Sequence, residues 1–312
     1  MAAGAATSVR RVRESGLISR KRRKDRLFAA LGLACLAVAL ATLALLVVSL
    51  AADGLSRLSW DFFMSYPSRF ASRAGVLPAW VGSVLVLAVT ALMGIPLGIA
   101  AGIYLEEYAP KNWLTDIIEI NVTNLAGIPS IIYGLLALGL FVYALNLGTS
   151  ILTGGLTLAL LILPVVIVAT REAIRAIPMS IREAAYSVGS TKWQLVSHHL
   201  LPYSTPSIMT GVIIGLSRAI GETAPLITIG ALTFIAFLPA PPIQPEFPFV
   251  SFRWLFDPFT VLPIPMFNWV SRPGRDFAGN AAAAGLVLLI ITLAMNAAAI
   301  YLRYHFRKRI KW

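Results

Sequence analysis

The chain has 312 residues, of which 58% are hydrophobic and 13% charged, where a water-soluble domain carries about 25% charged residues. With a mean hydropathy of +0.78, this composition excludes an ordinary soluble domain and describes a membrane protein. The net charge of +12 would suit nucleic acid, but the basic residues cluster beside apolar segments and do not interleave with exposed aromatics, so they are read as orientation signals and no nucleic-acid partner is expected.

Residues 1–26 form a basic tail, followed by an apolar run at 27–52. A signal peptide's apolar region is about 7–15 residues long. The longer run here is read as a retained first membrane helix, with SLAAD near residue 51 leaving cleavage as the alternative. Cys35 lies in that run and is the only cysteine; it excludes an internal disulfide, a zinc cluster or a redox pair, and is expected as a small core residue. A loop at 53–78 leads to five further stretches, 79–104, 125–145, 151–170, 206–235 and 278–302, before a second basic tail at 304–312. Each has roughly the 20 apolar residues that a membrane helix needs. The expectation is an all-α membrane protein with six transmembrane helices and both termini on one side. Nineteen lysines and arginines fall on that side and six in the opposite loops, 53–78 and 236–277, which places both termini in the cytoplasm.

Gly94, Gly98 and Gly102 recur every four residues in the second helix, as do Gly211 and Gly215 in the fifth, which predicts strips where another helix approaches closely. The outer segment 236–277 contains PAPPIQPEFPF and DPFTVLPIPMFNW. Its prolines predict either an ordered extended cap without regular secondary structure or a solvated spacer.

Between the fourth and fifth helices, residues 178–204 read PMSIREAAYSVGSTKWQLVSHHLLPYS. Ser180 with Glu183, and Thr191 with Gln194, have the spacing of reciprocal caps at two helix starts. Gly189 fits the left-handed residue that ends a helix. Trp193 is expected as an apolar anchor, and Pro202 is expected to stop the second short helix or bend it into the next span. The prediction is a rigid helical elbow on the cytoplasmic side.

Glu183-Ala184-Ala185, then Gly189, then Leu201-Pro202 resembles the EAA loop of ABC-importer permeases, with His199 departing from the usual aliphatic residue before the Leu-Pro pair. NLAGIPSIIYGLLALGLF at 124–141, RAIGETAPL at 218–226, YLEEYAP at 104–110 and FTVLPIPMFNW at 259–269 resemble the phosphate-transport permeases of that family. The resemblance covers most of residues 60–303. It implies the type I ABC-importer permease fold with a core at 79–303, in a prokaryotic plasma (inner) membrane. It also implies that Glu183, Ala184, Ala185, Gly189, Leu201 and Pro202 couple the chain to an ATPase. The partners implied are a homologous second permease subunit, two copies of an ABC ATPase that binds ATP and Mg, and an external phosphate-binding protein, with membrane lipids around the helices.

Arg218 and Glu222 lie in the fifth apolar stretch, where a charge costs at least about 2.5–3.5 kcal/mol and needs a partner or a function. Four residues apart in a helix, they share a face, and Pro225, lacking an N–H for the carbonyl of Gly221, predicts a bend between them. One reading is a staple to a neighbouring helix. The other is an anion pathway: Arg218 replaces water around an oxyanion and Glu222 competes for it to keep binding weak. Arg171 and Arg175, one turn apart, are either the next station for the anion or ordinary positive-inside residues.

No G-x-x-x-x-G-K-[ST] loop, H-E-x-x-H or G-x-S-x-G is present, so no catalytic residue, metal site or cofactor is expected in the chain. The alternatives are a permease for sulfate or molybdate, a proton-coupled secondary transporter titrating Glu222, and a membrane scaffold or sensor.

Overall fold

The computed structural model describes residues 2–308 except 244–248, 250, 273 and 274; part of the outer segment and the end of the second basic tail lie outside the described residues. The first helix, α1, spans Ala2–Gly54. It therefore takes in most of the predicted basic tail as well as the first apolar run, because no proline interrupts a sequence rich in the helix formers Ala, Arg, Lys and Leu. Leu27 to Val48 present exposed apolar side chains, and Cys35 is exposed with them, not a core residue as expected.

The rest of the chain, from Asp53, is a second compact unit. The predicted loop 53–78 is folded: Ser59 caps the short α2 (Trp60–Met64) by accepting the Phe62 N–H at 3.2 Å. Phe62 is buried and packs at 6.2 Å from the Trp269 ring. The second apolar helix, α3 (Leu77–Ile103), continues into a π-helical turn, Tyr104–Tyr108.

The third apolar stretch, expected at 125–145, is α5 (Ser130–Ala137, prolonged by a π-helical turn, Leu138–Ala144), and a helix not expected from the sequence, α4 (Trp113–Leu125), precedes it, the two bent by 110°. Pro129 is the cause, since its ring pushes Ile128 away from helical geometry. Among the described residues five helices are long and apolar enough to cross a membrane, or six if the bent pair is one span. The fourth, α6 (Ile151–Arg175), runs five residues past its expected end and carries Arg171 and Arg175 in its last turns.

The elbow follows, as α7 (Met179–Ser187) and α8 (Lys192–Gln194). A π-helical turn, Leu195–Leu200, then leads without interruption into α9 (Leu201–Gly221). Pro202 therefore neither stops nor sharply bends the chain: it occupies one of the first positions of α9, and the preceding π turn re-registers the ladder where a proline removes a bond. The fifth span, expected to reach residue 235, ends at Gly221; Glu222 is extended, with φ −77° and ψ 127°. A separate short helix, α10 (Ala224–Thr228), starts with Pro225, and the chain then turns through Gly230 at φ +93°. Pro225 opens a new helix, where its missing N–H is no loss, and does not bend an existing one.

The described part of the outer segment is an ordered cap, and it has a helix of its own, α11 (Pro263–Val270), with Pro263, Ile264, Pro265 and Trp269 buried. Its prolines begin a helix where only extended chain was expected. α12 (Ala278–Lys308) follows. The Leu262 N–H donates to Ser83 Oγ at 2.8 Å, joining the cap to α3.

α3 and α6 run parallel and nearly touch. A Cβ built on Gly94 would lie 2.9 Å from Ile162, on Gly98 2.7 Å from Val166, and on Gly102 2.6 Å from Thr170. Thr90 closes the same seam, its hydroxyl meeting the carbonyls of Val86 at 2.8 Å and Gly155 at 3.1 Å. α9 lies antiparallel on α6, with Gly211 against Ala169 and Gly215 against Ile162. Both glycine strips read from the sequence are thus helix contacts, made by van der Waals fit where lipid offers no hydrophobic drive.

Gly98→Val should overpack the α3–α6 seam at a cost of about 1–3 kcal/mol. The expected outcome is a lower unfolding temperature of the detergent-purified protein than for Gly139→Val, since Gly139 has open space around it.

Candidate functional site

The elbow is fixed by local chemistry. Gly189 adopts φ +82°, its N–H donates to the Tyr186 carbonyl at 3.0 Å, and the Ser190 N–H donates to the Ala185 carbonyl at 3.1 Å, the bonding pattern that ends a helix on a left-handed residue. Thr191 and Gln194 form the reciprocal cap predicted for α8. The Ser180–Glu183 cap does not form, because α7 begins at Met179 after Pro178 and no side chain caps it. Trp193 is exposed; Leu195, Val196 and Leu200 are the anchors, packed on Ile174, Ile177 and Ala185. Glu183, Ala184, Pro202 and His199 are exposed and Leu201 is half-buried, so part of the predicted coupling set faces away from this chain while Ala185 braces it.

Beneath the elbow, the ends of α3 and α6 meet the middle of α4 in a cluster of ions. Arg171, only 4% exposed, pairs with Glu119 of α4 and lies 3.6 Å from Glu106 of the π turn after α3. Arg175 donates to both Glu106 oxygens, at 3.1 and 3.0 Å, and lies 3.5 Å from Glu172. Three carboxylates thus surround two guanidinium groups, so the arrangement is a mutually neutralising clamp with an excess of negative charge, and it does not offer a free cation.

The second charged position is the end of α9. Arg218 Nε lies 3.4 Å from Glu222 Oε1, and the two side chains are 38% and 20% exposed. The pair predicted from spacing therefore forms, but across a helix end, not along a helix face. Arg218 in the last turn is favoured by the helix dipole, whereas a carboxylate just past that end is not, so Glu222 depends on its partner. Next to Arg218, the Ser217 hydroxyl meets Asn296 of α12 at 2.6 Å. Gly221 has open space around it, and Arg218 is exposed. α10 is held on α5 by an equally tight contact, since a Cβ on Gly134 would lie 2.7 Å from Pro225.

Sequence reasoning missed Glu106, Glu119, Asn296 and the partners of Arg182. The signal for the first was present, because YLEEYAP places two adjacent carboxylates at the end of an apolar span, where charges demand partners. Glu119 and Asn296 come from distant segments and carry no local signal.

Residues 94–312 match the family described as binding-protein-dependent transport system inner membrane component. The chain is 33% identical over 273 residues to the probable ABC transporter permease protein YqgI of Bacillus subtilis, covering 86% of this chain and 91% of the relative. It is 32% identical over 285 residues to the phosphate transport system permease protein PstA of Yersinia pestis, covering 88% of each. Among solved structures, a chain of a bacterial alginate ABC transporter is similar in fold, with a TM-score of 0.62, 16% identity and coverage of 89% and 93%. A chain of the inward-facing MetNI methionine ABC transporter has a TM-score of 0.55, with 17% identity and coverage of 72% and 94%.

The left-handed Gly189 generates a test of the elbow. Its Cβ position is open, so only backbone strain opposes a side chain there. Gly189→Val should cost about 1–2 kcal/mol, while Gly189→Asn, which tolerates that geometry, should keep the melting temperature of the detergent-purified protein closer to the native value.

Proposed function

Because the chain belongs to the family of binding-protein-dependent transport system inner membrane components, the permease subunits of ABC importers, we propose that it carries inorganic phosphate from an external binding protein to the cytoplasm. It does so beside a homologous second permease subunit, with two copies of an ABC ATPase binding ATP and Mg. The single observation that carries the reading is Arg218, a half-exposed cation in the last turn of a membrane helix, paired with a carboxylate that the helix end disfavours. An oxyanion arriving at Arg218 replaces that carboxylate as the guanidinium's partner, and the return of Glu222 releases it. The names of the relatives support phosphate over sulfate or molybdate. Membership of a family of binding-protein-dependent permeases disfavours a proton-coupled transporter titrating Glu222.

In this reading both termini are cytoplasmic, consistent with the excess of basic residues on that side. Glu183, Ala184, Gly189 and Pro202 then face the ATPase. Arg171 and Arg175 form the inner end of the pathway. Their clamp on Glu106, Glu119 and Glu172 keeps that end closed to an anion in this conformation, and phosphate passes once those glutamates let go.

Three outcomes are expected in liposomes holding the complete complex. Arg218→Gln should reduce phosphate uptake on the order of tenfold or more with the complex still assembled, because a neutral amide does not replace the lost charge-assisted hydrogen bonds. Glu222→Gln should slow uptake while part of the anion-stimulated ATP hydrolysis survives. The exchange Arg218→Glu with Glu222→Arg preserves an ion pair but moves the cation off the helix; full uptake by that protein rules out Arg218 as a positioned anion contact and leaves a staple. Independently, Glu183→Lys should stop transport in a chain that still inserts, and normal uptake with normal ATPase association overturns the coupling role.

A further inference from the structure

The turn after α3, Tyr104–Tyr108, is π-helical, a rare geometry that concentrates at functional positions. Both arms of the elbow hold it. From α7, the Arg182 guanidinium donates to Glu107 Oε1 from Nε at 3.1 Å and from Nη2 at 2.8 Å. The same group donates to the carbonyl of Ile177 at 2.8 Å and to that of Ile174, at the end of α6, at 3.1 Å. From α8, the Lys192 ammonium lies 5.1 Å from the centre of the Tyr108 ring. The Arg182 and Glu107 side chains are 12% and 9% exposed. The pair has left water together, and removing one member strands the other's charge.

We propose that Arg182 is a positioning residue that, through Glu107, ties the elbow to α3, so that displacement of the elbow moves α3 and α6 together. The inference rests on the reading of the elbow as the ATPase coupling site. An elbow displacement reaches Arg218 through the unbroken helical run Lys192–Gly221, and reaches α6 through the short link after Arg175. α3 has no such covalent route: residues 109–178 separate its end from α7. The Arg182–Glu107 pair adds a charged link beside the apolar packing of Ile103 on the elbow's buried residues, and the contact of Lys192 with the Tyr108 ring holds the same turn from the other arm. Only Arg fits the junction, since one planar fork serves a carboxylate and two carbonyls at once, which a point-charge ammonium does not. Because α3 fits against α6 with no room at Gly94, Gly98 and Gly102, a pull on Glu107 is carried along both helices and is not absorbed at the turn.

The test uses the complete complex, purified with its ATPase and reconstituted in liposomes, with phosphate moved per ATP hydrolysed as the readout. Arg182→Gln and Glu107→Gln should each lower that ratio about threefold or more while ATP hydrolysis stays within about twofold of native, a loss of the size that coupling residues carry. Arg182→Lys, which keeps the charge without the fork, should lie between, and the double Gln variant should be no worse than the singles. An unchanged ratio overturns the tie. So does a proportional fall of hydrolysis and uptake, which marks a merely structural role, and so does loss of the ATPase on purification, which marks a docking surface. If the Gln variants fail to assemble, Arg182→Lys and Tyr108→Leu decide by the same ratio. Absence of phosphate uptake by the native complex overturns the phosphate reading alone, and the ratio is then taken with sulfate or molybdate.

Discussion

The close parallel contact of α3 with α6 is the constraint on which the rest of the second unit depends. Glycines at positions 94, 98 and 102 let the α3 backbone approach the side chains of Ile162, Val166 and Thr170, and in an apolar solvent such steric fit is the main source of helix association. Because the two helices are parallel, their ends arrive together. Glu106 and Glu107 are thereby delivered beside Arg171, Arg175 and Arg182, and α9 finds the remaining face of α6 through Gly211.

Where the helices end, charge is handled in two different ways. At the elbow end, several carboxylates and guanidinium groups from four elements neutralise one another, and Arg171 and Arg182 are nearly or largely withdrawn from solvent. A cluster of this kind is costly to open by halves, because each withdrawn ion needs its partner. At the far end of α9 one guanidinium and one carboxylate, both partly exposed, pair across a helix end. That pair is easy to exchange, since the carboxylate sits against the unfavourable pole of the helix dipole. Rigid charge at one end and exchangeable charge at the other is what the proposed pathway requires.

The elbow is rigid for reasons visible in single residues. A left-handed glycine ends α7, a reciprocal Thr–Gln cap starts α8, and Leu195, Val196 and Leu200 seal both onto the end of α6. The π-helical turn before Pro202 then lets the chain enter α9 without a break. Movement imposed on the exposed edge at Glu183 and Ala184 is therefore carried into the helices and not lost in a hinge.

Much was legible from residues alone, because the determining physics is local. Apolar length identifies membrane helices, the spacing Thr191–Gln194 makes a cap, Gly189 supplies a left-handed turn, and glycines at intervals of four predict close helix contact. The spacing of Arg218 and Glu222 predicted an ion pair, and the pair exists. What local patterns left undecided was where apolar runs break. Pro129 and Pro225 each restart a helix, and α4, which lies ahead of the third apolar stretch, was not read as a helix. Trp193 and Cys35 were assigned to a core by size and apolarity, yet burial depends on which neighbours arrive. Glu106, Glu107 and Glu119, which pair with Arg171, Arg175 and Arg182, likewise come from segments more than 50 residues away. By itself the sequence determined which segments are helical and apolar, how the elbow turns, and that charges inside the apolar layer must be paired. Only the tertiary structure decided which charge meets which, because pairing between distant segments follows from the parallel packing of α3 on α6, and no spacing along the chain encodes it.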